Sequence, residues 1–406
     1  MKAVVFTLGC KVNEVESAAI MSALEERGIE TCDKLSPADI YVLNTCAVTA
    51  EAERKSRQLI SRVRKFNPQA AIYVCGCASQ KNSGQFEKLN VKFVCGARDK
   101  EKVVSAVLGD ALGSAFECSD LGLPKAVRTR AFVKIEDGCN NFCSYCVIPY
   151  LRGRVTSRPI ESIVKEVEAT PSPEIVLTGI NVSAYNVAEG DLSALMDALA
   201  FTDKRIRLSS LECNVITLRF LNSCARLKNF APHFHLSLQS GSDSVLRAMN
   251  RHYTRAEYLE KCNLIYSVFP DAAITTDIIA GFCGESEEDF ADSLSIIEQA
   301  GFARVHAFAF SPREGTAAYR MPDIPPDVKK RRLHALLQAA KAAGEKYVLQ
   351  RLGRQYAVIF EDFDGEYTAG YTCGYIRVYA KGKWDNCADV VLIKPFRDGA
   401  LCEVCN

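Results

Sequence analysis

Three closely spaced cysteines are the first residues in this chain with an evident chemical use. Cys139, Cys143 and Cys146 lie in the segment GCNNFCSYC, with three and then two residues between them. Four cysteines would close a zinc or iron–sulfur centre, whereas three thiolates on a four-iron cubane leave one iron open for a substrate or cofactor. The spacing therefore indicates an open iron–sulfur cluster. A zinc ribbon is the alternative, but no fourth ligand lies within a short reach in the sequence.

A second group of cysteines follows strand-like segments near the start of the chain. Cys10 comes after AVVFTLG, Cys46 after IYVLNT and Cys77 after AIYVCG. The carboxyl ends of parallel strands meet at one edge of a sheet, so these loops can bring three thiolates to one point. Cys75 competes with Cys77, but a strand over YVC directs Cys75 into the sheet packing, and Gly76 frees the turn that presents Cys77.

The segments that position these cysteines alternate between strand and helix patterns. In residues 1–110 the helix-like stretches EVESAAIMSALEERG and EAERKSRQLISRVRKF separate the strands, which predicts a small parallel sheet covered by helices. Six further strand–helix repeats over 131–345 predict a partial (β/α)6 barrel that is open on one side. After a basic helix at 327–351, five short strands predict a small β-barrel. The fold class is α/β, and the expected units are 1–115, a linker at 116–130, 131–350 and 351–406.

The composition indicates a globular protein of the cytoplasm. The chain has 406 residues, 48% of them apolar, and its longest apolar runs are too short to cross a bilayer. Its opening, MKAVVFTLGC, reads as a strand and not as a secretion signal. Metal or cluster binding therefore explains clustered cysteines better than disulfides do, because the cytosol is reducing. The net charge of +1 does not exclude a nucleic-acid partner, because basic residues can gather on one face.

The CxxxCxxC segment, just after the first strand of a six-fold repeat, resembles the radical S-adenosylmethionine (SAM) superfamily. The resemblance implies that the open iron binds SAM and that an electron from the cluster cleaves SAM to a 5'-deoxyadenosyl radical. TLGCKVNEVES, VLNTCAVT and CGCASQK resemble the three cluster-binding segments of the methylthiotransferase family. That family's core segments follow in order as CVIPYLRGRVTSR, EIVLTGINVSAY, SLQSGSDSVLRAMNRHYT, ITTDIIAGFCGESEEDF and FSPREGTAAYRM. The terminal barrel resembles its RNA-binding TRAM domain, so the resemblance covers essentially the whole chain.

The family resemblance implies two 4Fe–4S clusters, with SAM as both methyl donor and radical source. The implied catalytic and cluster-binding residues are Cys139, Cys143 and Cys146 for the radical SAM cluster and Cys10, Cys46 and Cys77 for an auxiliary cluster that holds sulfur. The implied reaction replaces an unactivated aromatic C–H bond by C–S–CH3. TLGCKVN resembles the branch that acts on N6-threonylcarbamoyladenosine in tRNA. The isopentenyladenosine branch tends towards TYGCQMN, and the branch that acts on a ribosomal protein towards SLGCPKN.

The resemblance also implies cofactor contacts at strand ends, for which turn and cap chemistry is the alternative. Tyr145 matches the aromatic position near the adenine, or else is an ordinary loop aromatic. The other candidates lie in LTGIN, SSLE and SLQS and are Thr178, Gly179, Asn181, Glu212, Gln239 and Ser240. Arg152, Arg154 and Arg158 follow the cysteine segment. They can balance an anionic cluster, contact phosphates or form a solvated turn.

Two positions depart from the family pattern, and one histidine pair needs an explanation. Cys213 stands in SSLEC where the family has SSLEP, and Cys283 in GFCGE where the family has GFPGE. Either thiol can approach a cluster, but we expect both to be small buried residues. His233 and His235 alternate and would face one side of a strand. A metal pair is conceivable, but the family carries similar histidines without a metal, so we expect packing.

Basic and aromatic residues indicate where an RNA would bind. The helix RKSRQLISRVRKF combines an apolar stripe with six cations, and KKRR at 329–332 adds a second basic segment. In the terminal barrel, aromatics from Tyr367 to Trp384 alternate with Arg377, Lys381 and Lys383, which suits unstacked bases and phosphates. A solvated helix face and core packing are the alternatives. The expected partners are a tRNA anticodon stem-loop and an external electron donor, and we expect a monomer without membrane association.

These observations predict a tRNA methylthiotransferase that acts at C2 of N6-threonylcarbamoyladenosine, next to the anticodon. The nearest alternative is the same chemistry on isopentenyladenosine in tRNA or on a ribosomal protein aspartate. An alternative of another class is a non-catalytic iron–sulfur protein that binds RNA or senses redox state. The presence of all six cluster cysteines argues against that class.

Overall fold

The structure is a computed structural model that describes residues 1–109, 129–385 and 387–405. The linker expected at 116–130 lies outside the described residues apart from its last two positions. Within the described part, a parallel sheet, a partial barrel and a closed β-barrel follow one another along the chain, which confirms the predicted α/β architecture. None of the helices in this part is long and apolar enough to cross a membrane.

The first unit is a parallel sheet with helices packed against both faces. Its strands are Lys2–Thr7 (β1), Glu30–Cys32 (β2), Ile40–Thr45 (β3), Ala71–Gly76 (β4) and Phe93–Val94 (β5). Its helices are Lys11–Glu25 (α1), Ala50–Phe66 (α2), Cys77–Lys81 (α3), Ser83–Glu87 (α4) and Glu101–Leu108 (α5). The strands pair in parallel in the order β2–β1–β3–β4–β5. Their side chains fill two separate apolar cores, one on each face, as expected for a parallel sheet.

Helix α2 shows how local sequence sets an element of this unit. The Thr49 hydroxyl caps it by accepting a hydrogen bond from the Ala52 backbone N–H at 3.1 Å. Leu59 and Val63 form a buried stripe against the sheet, as the sequence predicts. Phe66, predicted on the same stripe, is 39% exposed because it is the last residue of the helix.

The central unit is the predicted partial barrel. Its strands are Arg130–Lys134 (β6), Glu136–Asp137 (β7), Thr156–Ser157 (β8), Glu174–Thr178 (β9), Asn186–Val187 (β10), Gly190–Asp191 (β11), Arg205–Leu208 (β12), Ser210–Leu211 (β13), His233–Leu236 (β14), Ala273–Ala280 (β15) and Arg304–Ala309 (β16). The parallel orders β6–β9–β12 and β13–β14–β15–β16 give six barrel positions, because β12 continues into β13 after one residue.

Helices cover the outside of this barrel and lead into the last unit. They are Ile148–Arg152 (α6), Ile160–Ala169 (α7), Leu192–Ala198 (α8), Leu218–Ala225 (α9), Asp243–Ala248 (α10), Arg255–Val268 (α11), Glu287–Ala300 (α12) and Pro326–Leu349 (α13). Short 3-10 turns occupy Val182–Ala184, Cys213–Val215 and Ala317–Arg320. A single apolar core runs between the strands and these helices.

The last unit is a closed five-stranded barrel. Its strands are Gln355–Phe363 (β17), Tyr367–Thr372 (β18), Arg377–Lys381 (β19), Cys387–Phe396 (β20) and Gly399–Val404 (β21), and they close in the order β17–β18–β19–β21–β20. Arg207 on β12 donates hydrogen bonds to the carbonyls of Thr372 and Cys373. This contact fastens the barrel to the central unit beside the site described next.

Candidate active site

The three cysteines of the first unit meet at one edge of the sheet. Cys10 directly precedes α1, Cys46 directly follows β3, and Cys77 is the first residue of α3 after β4. Cys46 interacts electrostatically with both other thiols. A Cβ on Gly9 would lie 3.0 Å from Cys46 Sγ, and Gly9 has a φ of +116°, so only glycine fits this turn without strain. The structure therefore places these three loops together as the sequence predicts.

Burial and neighbouring charge act in opposite directions on these thiols. Burial, with repulsion from Cys77 and Cys10, raises the pKa of Cys46 to about 11. Burial also raises the pKa of Cys77, although the cations of Arg152 and Lys100 oppose the shift. Loading a metal cluster removes the thiol protons, so a cation beside Cys77 favours the thiolate form.

Cys75 points away from this group. It is fully buried and packs with Ala3, Val5 and Ile20 in the apolar core on the other face of the sheet. This is the structural role that the strand pattern predicts for it.

Arg152 links the first unit to the loop that carries the other three cysteines. Its Nη1 lies 2.9 Å from Glu16 Oε1 and 2.9 Å from Asp137 Oδ2, and its Nη2 lies 2.7 Å from Asn13 Oδ1. Lys100 also pairs with Glu16. Burial alone would raise the pKa of Glu16, but Lys100 and Arg152 hold it well below its usual range. Arg152 was expected near the second triad, yet its charge acts on Cys77 of the first.

Cys139, Cys143 and Cys146 lie in the loop between β7 and α6. The thiol of Cys146 interacts electrostatically with the other two, and burial raises its pKa to about 12. The loop turns at Gly138, which has a φ of +84° and where a Cβ would collide with the Arg154 carbonyl. This segment therefore also gathers three thiols in one place.

Arg251 is a residue of this second triad that the sequence analysis missed. Its Nη1 lies 3.4 Å from Cys143 Sγ and 2.8 Å from Glu212 Oε1. Glu212 also accepts a hydrogen bond from Asn141 at 2.6 Å. Arg251 lies in SVLRAMNRHYT, a segment used for the family resemblance, but nothing in its spacing indicated a contact with a cysteine. The predicted residue Glu212 is thus at the triad, held by Arg251.

The LTGIN segment reaches the same triad from β9. Asn181 Nδ2 lies 4.0 Å from Cys139 Sγ, and the backbone N–H of Asn181 donates to the Glu136 carboxyl. Gly179 is needed because a Cβ there would collide with Glu136. Burial raises the pKa of Glu136 to about 8, and its Oε2 has no hydrogen-bond partner among the described residues. Glu136 directly follows AFVKI, yet it was not singled out from the sequence.

The remaining cofactor candidates differ in where they point. Tyr145 packs edge-on against Phe282, with ring centroids 6.4 Å apart, between the second triad and the outer core. Gln239 has a φ of +72°, a strained conformation at the end of a barrel strand. The Ser240 hydroxyl is fully buried and lies 3.3 Å from Ser293 Oγ on α12. Its contacts are those of turn packing, the alternative considered for it.

The cysteines that replace prolines are buried, as expected. Cys213 is 1% exposed and belongs to the main core of the central unit. Cys283 packs with Phe282 and Phe310, and burial raises its pKa. Their surroundings are those of small apolar residues.

A cavity of about 1030 Å³ lies where the three units meet. The start of α1 contributes Cys10 and Lys11, the barrel strands contribute Thr178 and Gly179, and the terminal barrel contributes Tyr375. Three predicted site residues, namely Cys10, Thr178 and Gly179, therefore face one shared space. A volume of this size holds a nucleoside together with part of a cofactor.

Histidines on two barrel strands, β14 and β16, line the same cavity. His233 and His235 both contact the Thr275 hydroxyl at 3.0 Å, and His235 Nε2 lies 3.2 Å from Asp277 Oδ2. His233 stacks on Tyr375 with ring centroids 4.6 Å apart, which is the packing role expected for it. His235, Asp277 and His306 have ligand atoms within 4.8 Å of one another.

The second basic segment has less free positive charge than its sequence suggests. In KKRR, Lys329 pairs with Asp323, Arg331 with Glu287, and Arg332, 3% exposed, with Glu285. Only Lys330 of these four has no ion-pair partner in the described part of the chain. A run of four cations predicts a surface patch, but Glu285 and Glu287 come from a distant segment to pair with Arg332 and Arg331, and the nearby Asp323 pairs with Lys329.

Helix α2 keeps a smaller basic surface than its sequence suggests. Arg54 pairs with Glu51 and Arg57 with Glu53, while Arg64 donates to the carbonyls of Pro68, Ala70 and Asn90. Arg62 and Lys65 remain exposed without an ion-pair partner among the described residues.

The aromatics of the terminal barrel divide into two groups. Tyr371 and Tyr375 stack on each other at 5.0 Å and face the central unit, where Arg130 lies over Tyr371. Trp384 is 38% exposed and stacks on Phe360. Of Tyr371, Tyr375 and Trp384, only Trp384 is exposed.

Comparison with known proteins gives this arrangement a class and a family. Residues 2–96 match "Uncharacterized protein family UPF0004" and residues 133–297 match "Radical SAM superfamily". A solved structure, the radical SAM methyltransferase TsrM from Kitasatospora setae with cobalamin and a [4Fe-4S] cluster bound, has a similar fold. Its TM-score is 0.56 at 14% identity, over 76% of this chain and 74% of that one. The fold and the CxxxCxxC loop thus define a radical SAM protein.

Two curated relatives narrow the class. The Bacillus subtilis protein named threonylcarbamoyladenosine tRNA methylthiotransferase MtaB is 35% identical, over 98% of this chain and 96% of its own. The Fervidobacterium nodosum protein named tRNA-2-methylthio-N(6)-dimethylallyladenosine synthase is 37% identical, over 89% of this chain and 88% of its own. This chain belongs to the radical SAM methylthiotransferase family.

Family membership implies SAM and two 4Fe–4S clusters as cofactors, and the residues present fit them. Each triad brings three thiols into electrostatic contact, and each has a guanidinium beside one thiol, Arg152 at Cys77 and Arg251 at Cys143. A cluster held by three thiolates is anionic, so a buried cation at each triad matches that charge.

Proposed function

We propose that this chain inserts a methylthio group at C2 of N6-threonylcarbamoyladenosine, next to the anticodon of tRNA. The observation that carries the proposal is the cavity beside the first triad. It is lined by Cys10 of that triad and by Thr178 and Gly179, and the same segment continues to Asn181, whose Nδ2 lies 4.0 Å from Cys139 Sγ of the second triad. An adenine in this cavity faces Cys10 directly and lies beside the segment that reaches the second triad.

The proposal assigns one cluster to each triad. Cys10, Cys46 and Cys77 bind the auxiliary cluster, and Cys139, Cys143 and Cys146 bind the radical SAM cluster. When bound, the clusters and SAM supply the sulfur, the methyl group and the radical needed to functionalise an unactivated carbon. The proposal keeps the unit boundaries at 115, 130 and 350.

The protein's own residues position and insulate these groups. Arg152 and Arg251 place buried positive charge at the two triads. Glu136 carries its proton at neutral pH, because its pKa is about 8, so its carboxyl can donate a hydrogen bond in the cofactor segment. Tyr145 and Phe282 form an apolar wall that excludes water next to the second triad.

We infer that the RNA is an anticodon stem-loop with the adenine flipped into the cavity. Unpaired loop bases cost little to extrude, and a buried reaction site cannot reach a stacked base. Arg62, Lys65 and Trp384 offer exposed cationic and aromatic contacts on the outer surface. The proposed protein is a cytoplasmic monomer that receives its electron from an external donor.

Isopentenyladenosine in tRNA is the second candidate substrate. The Fervidobacterium nodosum relative, whose name gives dimethylallyladenosine chemistry, is as similar to this chain as the threonylcarbamoyladenosine relatives are. The segment TLGCKVN supports the threonylcarbamoyl branch instead, since the other branch tends towards TYGCQMN.

Mass spectrometry of modified nucleosides tests the proposal. The protein is reconstituted anaerobically and incubated with reductant, SAM and bulk tRNA from cells that lack the modification. We expect a methylthio group on threonylcarbamoyladenosine, and none with Cys77→Ala or Cys143→Ala. Formation of 5'-deoxyadenosine without any change in a tRNA nucleoside would contradict the proposed substrate while preserving the radical chemistry.

A further inference from the structure

Lys11 is a cation in the cavity that forms no ion pair within the described residues. It is the residue after Cys10 and the first residue of α1, and it lines the cavity. Its Nζ lies 5.9 Å from the centre of the Phe132 ring. No carboxylate of the described residues lies within 4.0 Å of it, since no ion pair of Lys11 exists in that part of the chain. Lys11 is exposed, and its ammonium group faces the open cavity, so it is free to bind an anion that enters there.

The other cations around Lys11 are already neutralised. Arg130 pairs with Glu361 through two contacts, of 2.6 and 2.9 Å. Arg207, 2% exposed, pairs with Glu174 at 2.6 Å. Both guanidiniums are also held by the aromatic rings of the terminal barrel. These pairs are complete within the protein, which distinguishes Lys11 from them.

The acids that line the cavity are directed elsewhere. Asp277 contacts His235 at 3.2 Å, and Glu361 contacts Arg130. Desolvation lowers the pKa of Lys11, and Glu14, one turn along α1, acts on Lys11 through its charge and opposes this larger lowering. Asp362 is exposed at the rim on β17. A ligand carboxylate at Lys11 would therefore meet a cation rather than a second acid.

We propose that Lys11 binds the carboxylate of the threonylcarbamoyl group and so selects this substrate over an isopentenylated one. This inference rests on the proposed function. The threonylcarbamoyl group carries a carboxylate, whereas an isopentenyl group is a hydrocarbon. In adenine, the carbon that bears the substituted nitrogen and the reacting C2 are separated by one ring nitrogen. A cation next to Cys10 therefore meets the substituent on the same edge of the base that faces the proposed auxiliary cluster.

Two other anions could occupy the site, and the experiment separates them. A phosphate of the RNA is present in every tRNA, so removing a Lys11–phosphate contact would lower kcat/KM equally for all substrates. The carboxylate of SAM is present without any RNA, so removing a Lys11–SAM contact would slow 5'-deoxyadenosine formation in the absence of substrate. A role of Lys11 in balancing the charge of the cluster at Cys10 would change the iron content.

The test compares two variants of the substrate with two variants of the protein. The substrates are an anticodon stem-loop with N6-threonylcarbamoyladenosine and the same stem-loop with that carboxylate as its methyl ester. The proteins are wild type and Lys11→Gln, both reconstituted, with kcat/KM for methylthio transfer as the readout. Lys11→Arg keeps the charge, and Lys341→Gln, on the exposed surface of α13, is the matched control.

The losses should not add. A charge-assisted hydrogen bond accounts for about 10-fold to 150-fold in kcat/KM, so the ester should lower the wild-type value by that factor. Lys11→Gln should lower kcat/KM for the free-carboxylate substrate by a similar factor. With Lys11→Gln, kcat/KM for the ester should be less than about 2-fold lower than for the free carboxylate. Lys11→Arg should recover most of the loss. Iron content and uncoupled 5'-deoxyadenosine formation should stay unchanged.

Other outcomes overturn the inference. If Lys11→Gln lowers kcat/KM equally for the acid and the ester, Lys11 binds a phosphate of the RNA. If Lys11→Gln slows 5'-deoxyadenosine formation without RNA, Lys11 binds SAM. Loss of iron would assign it to the cluster. A wild-type enzyme that modifies neither stem-loop, or prefers the isopentenylated one, would instead reject the proposed function itself, which separates the two failures.

Discussion

Arg152 on α6 and Glu16 on α1 form a buried ion pair, 2.9 Å between Nη1 and Oε1, that joins the two cysteine triads. Both side chains are at most 3% exposed. Arg152 follows the loop of the second triad along the chain, yet its charge lies beside Cys77 of the first. Arg152 thus contacts the first triad while it belongs to the segment that follows the second.

Replacing Arg152 should destabilise the protein. Arg152→Met leaves the buried Glu16 with Lys100 and the more distant Lys134, and losing one side of a buried pair costs about 3 kcal/mol. We expect a lower thermal midpoint and incomplete filling of the auxiliary site, measured by calorimetry and iron analysis. Arg226→Met, which removes an exposed pair with Asp197, is the control and should change stability by less than about 0.5 kcal/mol. Equal midpoints for the two variants would contradict this account.

Cysteine substitutions should separate the two sites. Wild type should hold about eight irons per chain, two clusters of four, and Cys46→Ala or Cys143→Ala about four. Cys75→Ala is the matched control, because Cys75 packs in the core behind the sheet. It should keep about eight irons. Loss of a cluster from Cys75→Ala would mean that Cys75 and not Cys77 is the ligand.

Arg251 should tune the second site electrostatically. Arg251→Gln removes a positive charge 3.4 Å from Cys143 Sγ, which disfavours adding an electron to a cluster there. We expect a more negative reduction potential and slower 5'-deoxyadenosine formation, with iron content unchanged, in a redox titration followed by electron paramagnetic resonance. The reduction potential of Arg251→Lys should lie between those of wild type and Arg251→Gln. A potential that does not move would show that Arg251 acts only by packing.

Glu136 should make stability depend on pH. Its pKa is near 4.5 in an unfolded chain and about 8 in the folded protein, so the folded state retains the proton more strongly. This stabilisation is complete below about pH 4.5 and is lost as the pH rises towards 8, a change of the order of 5 kcal/mol. Glu136→Gln lacks the titration, so its thermal midpoint relative to wild type should rise between pH 5 and pH 8. The measurement is a series of melts without SAM, and a constant difference would contradict the shifted pKa.

The sequence predicts the strands and helices of this protein better than it predicts which of its charged residues form ion pairs. Ile40–Thr45 and Ala71–Gly76 match their predicted strands because each is a short apolar run that ends at a turn. The cysteine loops follow from the same logic, since parallel strands share an edge. The ion pairs of Arg331 and Arg332 could not be predicted from KKRR itself, because Glu285 and Glu287 reach these residues only after the chain folds.

Residues of the site that depend on long-range contacts were not predictable. Arg251 reaches Cys143 across more than a hundred positions of sequence, and no spacing connects the two. Lys11 lies in TLGCKVN, but the sequence gives no sign that its side chain lines the cavity, which is visible only in the folded structure. Ser240 was predicted beside Gln239, yet its hydroxyl turns into the packing of α12.

The measurement that tests the central claim most directly is a competition in one tube. Anticodon stem-loops with N6-threonylcarbamoyladenosine and with isopentenyladenosine are mixed in equal amounts with the reconstituted protein, reductant and methyl-deuterated SAM, and the nucleosides are analysed by mass spectrometry. We predict that the deuterated methylthio group appears on the threonylcarbamoyl nucleoside with at least a tenfold preference. Transfer chiefly to the isopentenyl nucleoside, or to neither, would contradict the account.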